Sequence, residues 1–236
     1  FYRLCGRIIC RERRVIFVIS IALDGPAGAG KSTIAKAVAK KLSFIYVDTG
    51  ALYRAIGFYA IKNKISSENE IISSLKKIKV DLKFENNLQK VFLCDEDISE
   101  EIRTPEVSMM ASKISAIPAV REFLFDLQQD LAKKNNVIMD GRDIGTVILP
   151  EANVKIFLTA SSEKRAERRY KELIEKGLQV DYDDILKDII KRDYDDSNRK
   201  IAPLKAAADA IFVDTSAYNL EESINLILTI INNKLK

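Results

Sequence analysis

The chain has 236 residues, 47% of them hydrophobic, enough to bury one large core or one core with a small attached lobe. Its net charge of +4 resides in residues 1–14, where Arg3, Arg7, Arg11, Arg13 and Arg14 face only Glu12, so the neutral body argues against a nucleic-acid partner. Histidine is absent, which excludes His triads, His general bases and His metal sites and leaves those roles to Asp, Glu, Lys, Arg and Tyr.

Cys5, Cys10 and Cys94 form no CxxC pair and are odd in number, so they read as incidental thiols in a reducing, cytoplasmic setting. The basic head and the apolar run over 15–23 imitate a signal peptide, yet the run is short and cleavage after it would remove the first strand. Residues 1–14 are therefore expected to be a non-native or disordered extension, with Val15 as an alternative start. No run approaches the ~20 apolar residues of a membrane span, and no membrane partner is expected.

In chain order, a Val- and Ile-rich run ending at Leu23 reads as a strand buried on both faces. Gly25-Pro26-Ala27-Gly28-Ala29-Gly30-Lys31-Ser32 follows, fitting G-x-x-x-x-G-K-[ST], and an amphipathic helix continues over 34–42. Strand, Gly-rich loop and helix in that order is the context a phosphate-binding loop requires. The glycines let successive N–H groups face a polyphosphate, and the helix presents its N-terminal dipole to the same anion. Lys31 would reach the β- and γ-phosphates, and the Ser32 hydroxyl would bind Mg2+.

A second strand, 44–47, ends at Asp48-Thr49-Gly50, and a helix over 51–62 carries Tyr53 and Arg54 in its first turn. These two lie near the carboxyl ends of the strands, where open α/β sheets bind ligands; alone, Tyr53 reads as well as a packing residue and Arg54 as a solvated charge. Residues 65–103 change texture: a polar amphipathic helix over 68–78, then alternating runs over 80–85 and 90–94 joined through Asn86-Asn87, predict an inserted lobe with an antiparallel hairpin. Thr104-Pro105 starts a helix to about residue 116, and Pro118 starts another ending near 135.

The main sheet resumes at 137–139, followed by Asp140-Gly141-Arg142-Asp143-Ile144-Gly145, where an acid at the strand's carboxyl edge suits a carboxylate near Mg2+. After a strand at 154–158, Ser161 or Ser162 caps a helix bearing Arg165, Arg168 and Arg169, which Gly177 stops. A helix over 182–197 holds Arg192, Asp193, Asp196 and leads to Arg199; a last strand, 210–213, and a closing helix, 220–235, complete the chain. Alternating strands and helices predict an α/β, P-loop NTPase-type three-layer sandwich with a mostly parallel five-stranded sheet. The expected single domain spans 15–236, with its core at 15–64 and 104–236 and the insert at 65–103.

Asp-x-x-Gly does not occur and neither Asn-Lys pair precedes the Asp of a guanine reader, so a compact kinase is preferred over a GTPase. Arg54, Arg103, Arg121, Arg142, Arg165, Arg168, Arg192 and Arg199 sit at element ends or loops, as transfer between two anions demands. They do not by themselves separate phosphate from carboxylate ligands.

Five ordered blocks now resemble a family: the Gly25 to Ser32 loop; Asp48-Thr49-Gly50-Ala51-Leu52-Tyr53-Arg54; Glu101-Ile102-Arg103-Thr104; Asp140-Gly141-Arg142-Asp143-Ile144-Gly145-Thr146-Val147; and Arg192-Asp193 through Asp196 to Arg199. From about Val18 onward the chain is similar to bacterial cytidylate kinases. The resemblance implies phosphoryl transfer from ATP, with Mg2+, to CMP or dCMP by a monomer. It makes 65–103 the monophosphate-binding insert and about 165–200 the lid, short around 177–184. It places ATP on Gly25, Pro26, Ala27, Gly28, Ala29, Gly30, Lys31, Ser32 and Thr33, with Arg165 and Arg168 nearby. Arg54 and Arg142 would hold the acceptor phosphate beside Thr49 and Tyr53, Arg192 and Asp196 the sugar hydroxyls, and Ser112, Arg121, Asp143 and Arg199 the cytosine edge. Lys31, Arg142, Arg192 and Arg199 would be catalytic. A carboxylate at Asp143 accepts from cytosine's amine but opposes uracil's carbonyl, leaving buried polar groups unpaired with the wrong base. Two departures leave these blocks intact: Thr49 stands where serine is common, and residues 1–14 fall outside the pattern. The runner-up readings are a related kinase (UMP/CMP, adenylate or shikimate) and a non-catalytic nucleotide-binding module.

Overall fold

Strand β1 (Ser20–Asp24) is buried on both faces from Ile21 onward, and the alternation of its side chains sets the layers: Ile21 and Leu23 enter one apolar cluster, Ala22 the opposite one. In this computed structural model, residues 18–85 and 88–236 are described; the expectations for residues 1–14, the opening of strand one and the Asn86-Asn87 turn lie outside them. The first cluster joins β1 to α1 (Lys31–Leu42) through Ile34, Ala35 and Val38, and to α8 (Leu220–Lys234) through Ile227 and Ile231. The second joins Ala22, Val47 and Met139 to Ala132 of α5 (Pro118–Lys134). Helices therefore cover both faces of the sheet, giving the expected three layers.

The sheet orders β2 (Ile45–Asp48), β6 (Val137–Gly141), β1, β7 (Val154–Thr159) and β8 (Ile211–Asp214), and every pairing is parallel. From β1 the chain passes to the β2 edge, whereas from β6 it crosses β1 to reach β7. The connections thus diverge at β1, and the crevice at its carboxyl end is where this architecture binds ligands. Strand β6 runs two residues beyond the expected 139, because Asp140 and Gly141 stay in register with Leu23 and Asp24.

Between α2 (Thr49–Lys62) and α4 (Pro105–Ile114), the inserted segment forms α3 (Glu68–Ser74) and an antiparallel sheet of β3 (Val80–Glu85), β4 (Leu88–Leu93) and β5 (Glu96–Asp97). Helix α3 ends earlier than the expected 78. Ser73 and Ser74 hydroxyls donate to the Glu70 and Ile71 carbonyls, local bonds that compete with helix continuation, and one 3-10 turn follows. The insert has no core of its own. Ile71, Val91, Leu93 and Ile98 share one apolar cluster with Leu52 and Ile56 of α2, Ile114 of α4 and Leu124 of α5. On the other side of the site, α6 (Ser162–Glu175), capped by Ser161, and α7 (Tyr182–Asn198) form a helical hairpin turned at Gly177. No helix among the described residues is long and apolar enough to cross a membrane.

Candidate active site

The Gly-rich loop leaves β1 at Gly25, where the chain is so close to β7 that a Cβ would lie 1.9 Å from the Leu158 carbonyl oxygen. Gly28 and Gly30 take positive φ of 73° and 84°, conformations other residues adopt only with strain. Gly30 caps α1 without any side-chain hydrogen bond, so the first N–H groups of that helix are left for an anion. Lys31 is buried, its ammonium donating to the Gly25 and Pro26 carbonyls at 2.8 Å each. Burial, then the charge of Arg142, lowers it to about 7.

Beside the loop, the Ser32 hydroxyl donates to an Asp140 oxygen at 2.7 Å, and the Thr49 hydroxyl donates to the Asp140 carbonyl at 2.8 Å. Burial, followed by repulsion from Asp48, raises the Asp140 carboxyl to about 6. A buried carboxylate beside a second acid and a hydroxyl is a hard-oxygen donor set, which suits Mg2+. Among the described residues no three or more acidic or cysteine side chains cluster as metal ligands. Mg2+ needs no such cage, since it keeps several waters and takes phosphate oxygens as ligands.

Around Asp48, Asp143 and Asp196 lies a lattice of arginines and carboxylates. Asp48 caps α2 at Ala51 and ion-pairs Arg54 at 2.6 Å. Arg142 donates to Asp196 at 2.9 Å. Asp143 is held by Arg121 on one oxygen and by Arg199 at 3.4 Å on the other, and Arg199 also lies 3.9 Å from Asp196. Burial still pushes the Asp143 carboxyl up, with Arg121 and Arg199 opposing. Arg192 has a buried Nε without a partner among the described residues, and burial followed by Arg142 lowers its guanidinium to about 10. A guanidinium half left unsatisfied beside Arg142 is what an incoming anion would complete.

Helix α6 brings two arginines to the loop. Arg165 is engaged by the protein itself, donating to Ala160 and Ala27 carbonyls and pairing with Asp193 at 2.6 Å, so it braces the loop and offers no free N–H fork to a triphosphate. Arg168 donates to the Thr215 carbonyl at 2.8 Å, and one of its nitrogens would lie 3.8 Å from a Cβ on Gly30. Arg168, Lys164, Ser216, Tyr218 and Asn219 line an open cavity of about 390 Å3 between α6 and the start of α8.

A sequence profile of the family described as cytidylate kinase matches residues 21–233. The cytidylate kinase of Carboxydothermus hydrogenoformans is 50% identical over 218 residues, covering 91% of this chain and 97% of the relative. That of Thermosipho melanesiensis is 48% identical over 216 residues, 92% and 98% of the two chains. The chain belongs to the cytidylate kinase family. A solved structure of an uncharacterized protein from Eubacterium ventriosum, 13% identical, covers 92% of this chain and 99% of its own with a TM-score of 0.52, a likeness of fold alone.

Against the family's blocks, Lys31, Ser32, Thr49, Arg54, Arg142, Asp143, Arg192, Asp196 and Arg199 converge on the carboxyl edge of the sheet. Tyr53 belongs to the apolar cluster under α2, with the Arg121 guanidinium 5.8 Å from its ring, so the packing reading of this side chain is also realised. Ser112 lies one turn back: its carbonyl accepts from Ser115, and it is Ser115 that meets Arg121 and Arg199. Arg103 belongs to a surface turn, donating to the Ser99 carbonyl. Three residues carried no sequence signal as parts of the site, Asp24, Gln89 and Ser115, and Asp48, although it opens one of the quoted blocks, was given no role. Gln89 accepts from the Asp48 N–H at 2.7 Å and donates to its carbonyl at 3.2 Å, clasping β4 to the end of β2.

Proposed function

We propose that this site transfers the γ-phosphoryl group of ATP to CMP or dCMP, giving ADP and CDP or dCDP. The triphosphate lies on residues 25–33, where the uncapped start of α1 and the Lys31 ammonium meet its charge; Lys31 exchanges loop carbonyls for phosphate oxygens. The donor's base occupies the cavity beside Arg168, and Arg165 serves the donor by fixing Ala27. Ser32 and Asp140 would hold Mg2+, which would supply charge screening of the phosphates between which the group moves.

Arg54 and Arg142 turn from Asp48 and Asp196 toward the acceptor phosphate, joined by Arg192, whose unpaired Nε supports an anion there. The acceptor's phosphate oxygen is already a nucleophile once its charge is screened, so placement and charge stabilisation by these groups supply the acceleration without a general base. Asp143, pinned on both oxygens by Arg121 and Arg199, accepts from cytosine's amine. The observation that carries the reading is this pairing of an uncapped phosphate loop with a buried acid between two arginines on the same sheet edge. With γ-labelled ATP and CMP, label should move to CDP, and Lys31→Met should slow transfer at least about a hundredfold with an unchanged circular dichroism spectrum. Label released only as inorganic phosphate, or a Lys31→Met rate near wild type, would refute it.

A further inference from the structure

Asp24, the last residue of β1, is buried to 3% exposure and contributes no group to the transfer described above. Its two oxygens accept from consecutive backbone N–H groups, Ile144 at 2.8 Å and Gly145 at 2.7 Å. Those N–H groups open the π-helical turn Ile144–Ile148, whose cap residue Asp143 makes no side-chain cap of its own. An unmet buried N–H is costly, so the carboxylate and the turn define each other's position. The fit is close: a Cβ on Gly145 would stand 3.3 Å from an Asp24 oxygen. Immediately before the turn come Arg142 and Asp143, the acceptor-phosphate and base contacts. Arg121 and Arg199 fix the Asp143 side chain, and Asp24 is what fixes the backbone behind it.

We propose that Asp24 is a positioning residue for acceptor choice: its buried carboxylate, anchored at the root of the phosphate loop, sets the backbone of residues 144–145 and so aims Asp143 at the base. The proposal rests on Asp143 being the base reader. Asparagine at 24 keeps the shape but turns one acceptor into a donor against an N–H. A carboxylate that only stabilised the fold would alter all acceptors alike, whereas a positioning carboxylate alters the choice between them.

The test is the CMP-to-UMP ratio of kcat/KM in wild type, Asp24→Asn, Gly145→Ala and Asp143→Ala, each checked for folding by thermal melting. Gly145→Ala presses the same contact from the other side while Asp24 is retained. Asp24→Asn and Gly145→Ala should each lower the ratio about tenfold or more, as sub-ångström displacement of a reading group does. An unchanged ratio in folded Asp24→Asn overturns the proposal, even if ATP affinity falls; should that variant not fold, the Gly145→Ala ratio decides in the same way. Loss of the ratio in Asp143→Ala with retention in Asp24→Asn overturns the proposal and leaves the base assignment standing. Retention in Asp143→Ala overturns the base assignment itself.

Discussion

Asp24 also carries a pH signature. Burial, opposed by its bonds from Gly145 and Ile144, raises its carboxyl to about 6 from the ordinary 3.8. Between those values the folded chain holds more protons at this residue than the unfolded chain, so its contribution to stability declines as pH rises through about 6. Subtracting the urea stability of Asp24→Asn from that of wild type isolates the effect: the difference should fall from pH 4.5 to about 6 and level off above it. A flat difference would contradict the burial argument. At this scale the sequence revealed chemistry and concealed partnership. Lys31, Ser32, Arg142 and Asp143 stand out because each lies in a short contiguous motif block. Gln89 and Ser115 do not, since each meets a partner that lies far away in sequence, Gln89 across 41 residues and Ser115 across 84.

The junction of β1 and α1 is the element on which the donor side depends, and its geometry leaves no room at Gly25. With φ at 149° and the Leu158 carbonyl oxygen only 1.9 Å from where a methyl group would stand, Gly25→Ala must push β7 away from the loop. A cost of about 3 kcal/mol or more is expected for such overpacking in a strained conformation, read as a lower urea midpoint together with weaker ATP binding. Wild-type stability in that variant would show that β1 and β7 are more compliant than their register implies. Regular elements were legible because they repeat: buried strands as apolar runs, helices by caps such as Thr104 with Pro105, which the structure keeps with Val107 bonded to Thr104. The π-helical turn and β5 were not, because no periodicity marks either. The turn closes locally on the Asp143 carbonyl, but its first N–H groups meet Asp24, a tertiary partner about 120 residues away. The end of α3 escapes the pattern for a related reason, since two serine side chains rather than apolar spacing decide it.

In the whole molecule, donor and acceptor groups stand on different cores that meet at one edge. The phosphate loop rides on the cluster of β1, α1, β7 and α8, whereas Arg54 rides on α2, which shares its core with the insert and α4. Gln89 binds the insert back to Asp48, and Asp24 ties the loop's strand to the Asp143 turn, so the two sides are registered through buried polar contacts. Layering and the parallel sheet followed from alternation and motif context, but the strand order and the shared core of insert and α2 were not visible as pattern. The most direct test of the account is the initial rate of ADP formation from ATP and Mg2+ with CMP, dCMP, UMP, AMP and shikimate in turn. CMP or dCMP should give the highest kcat/KM, exceeding UMP by about tenfold or more; an equal or higher value with UMP, AMP or shikimate would contradict it.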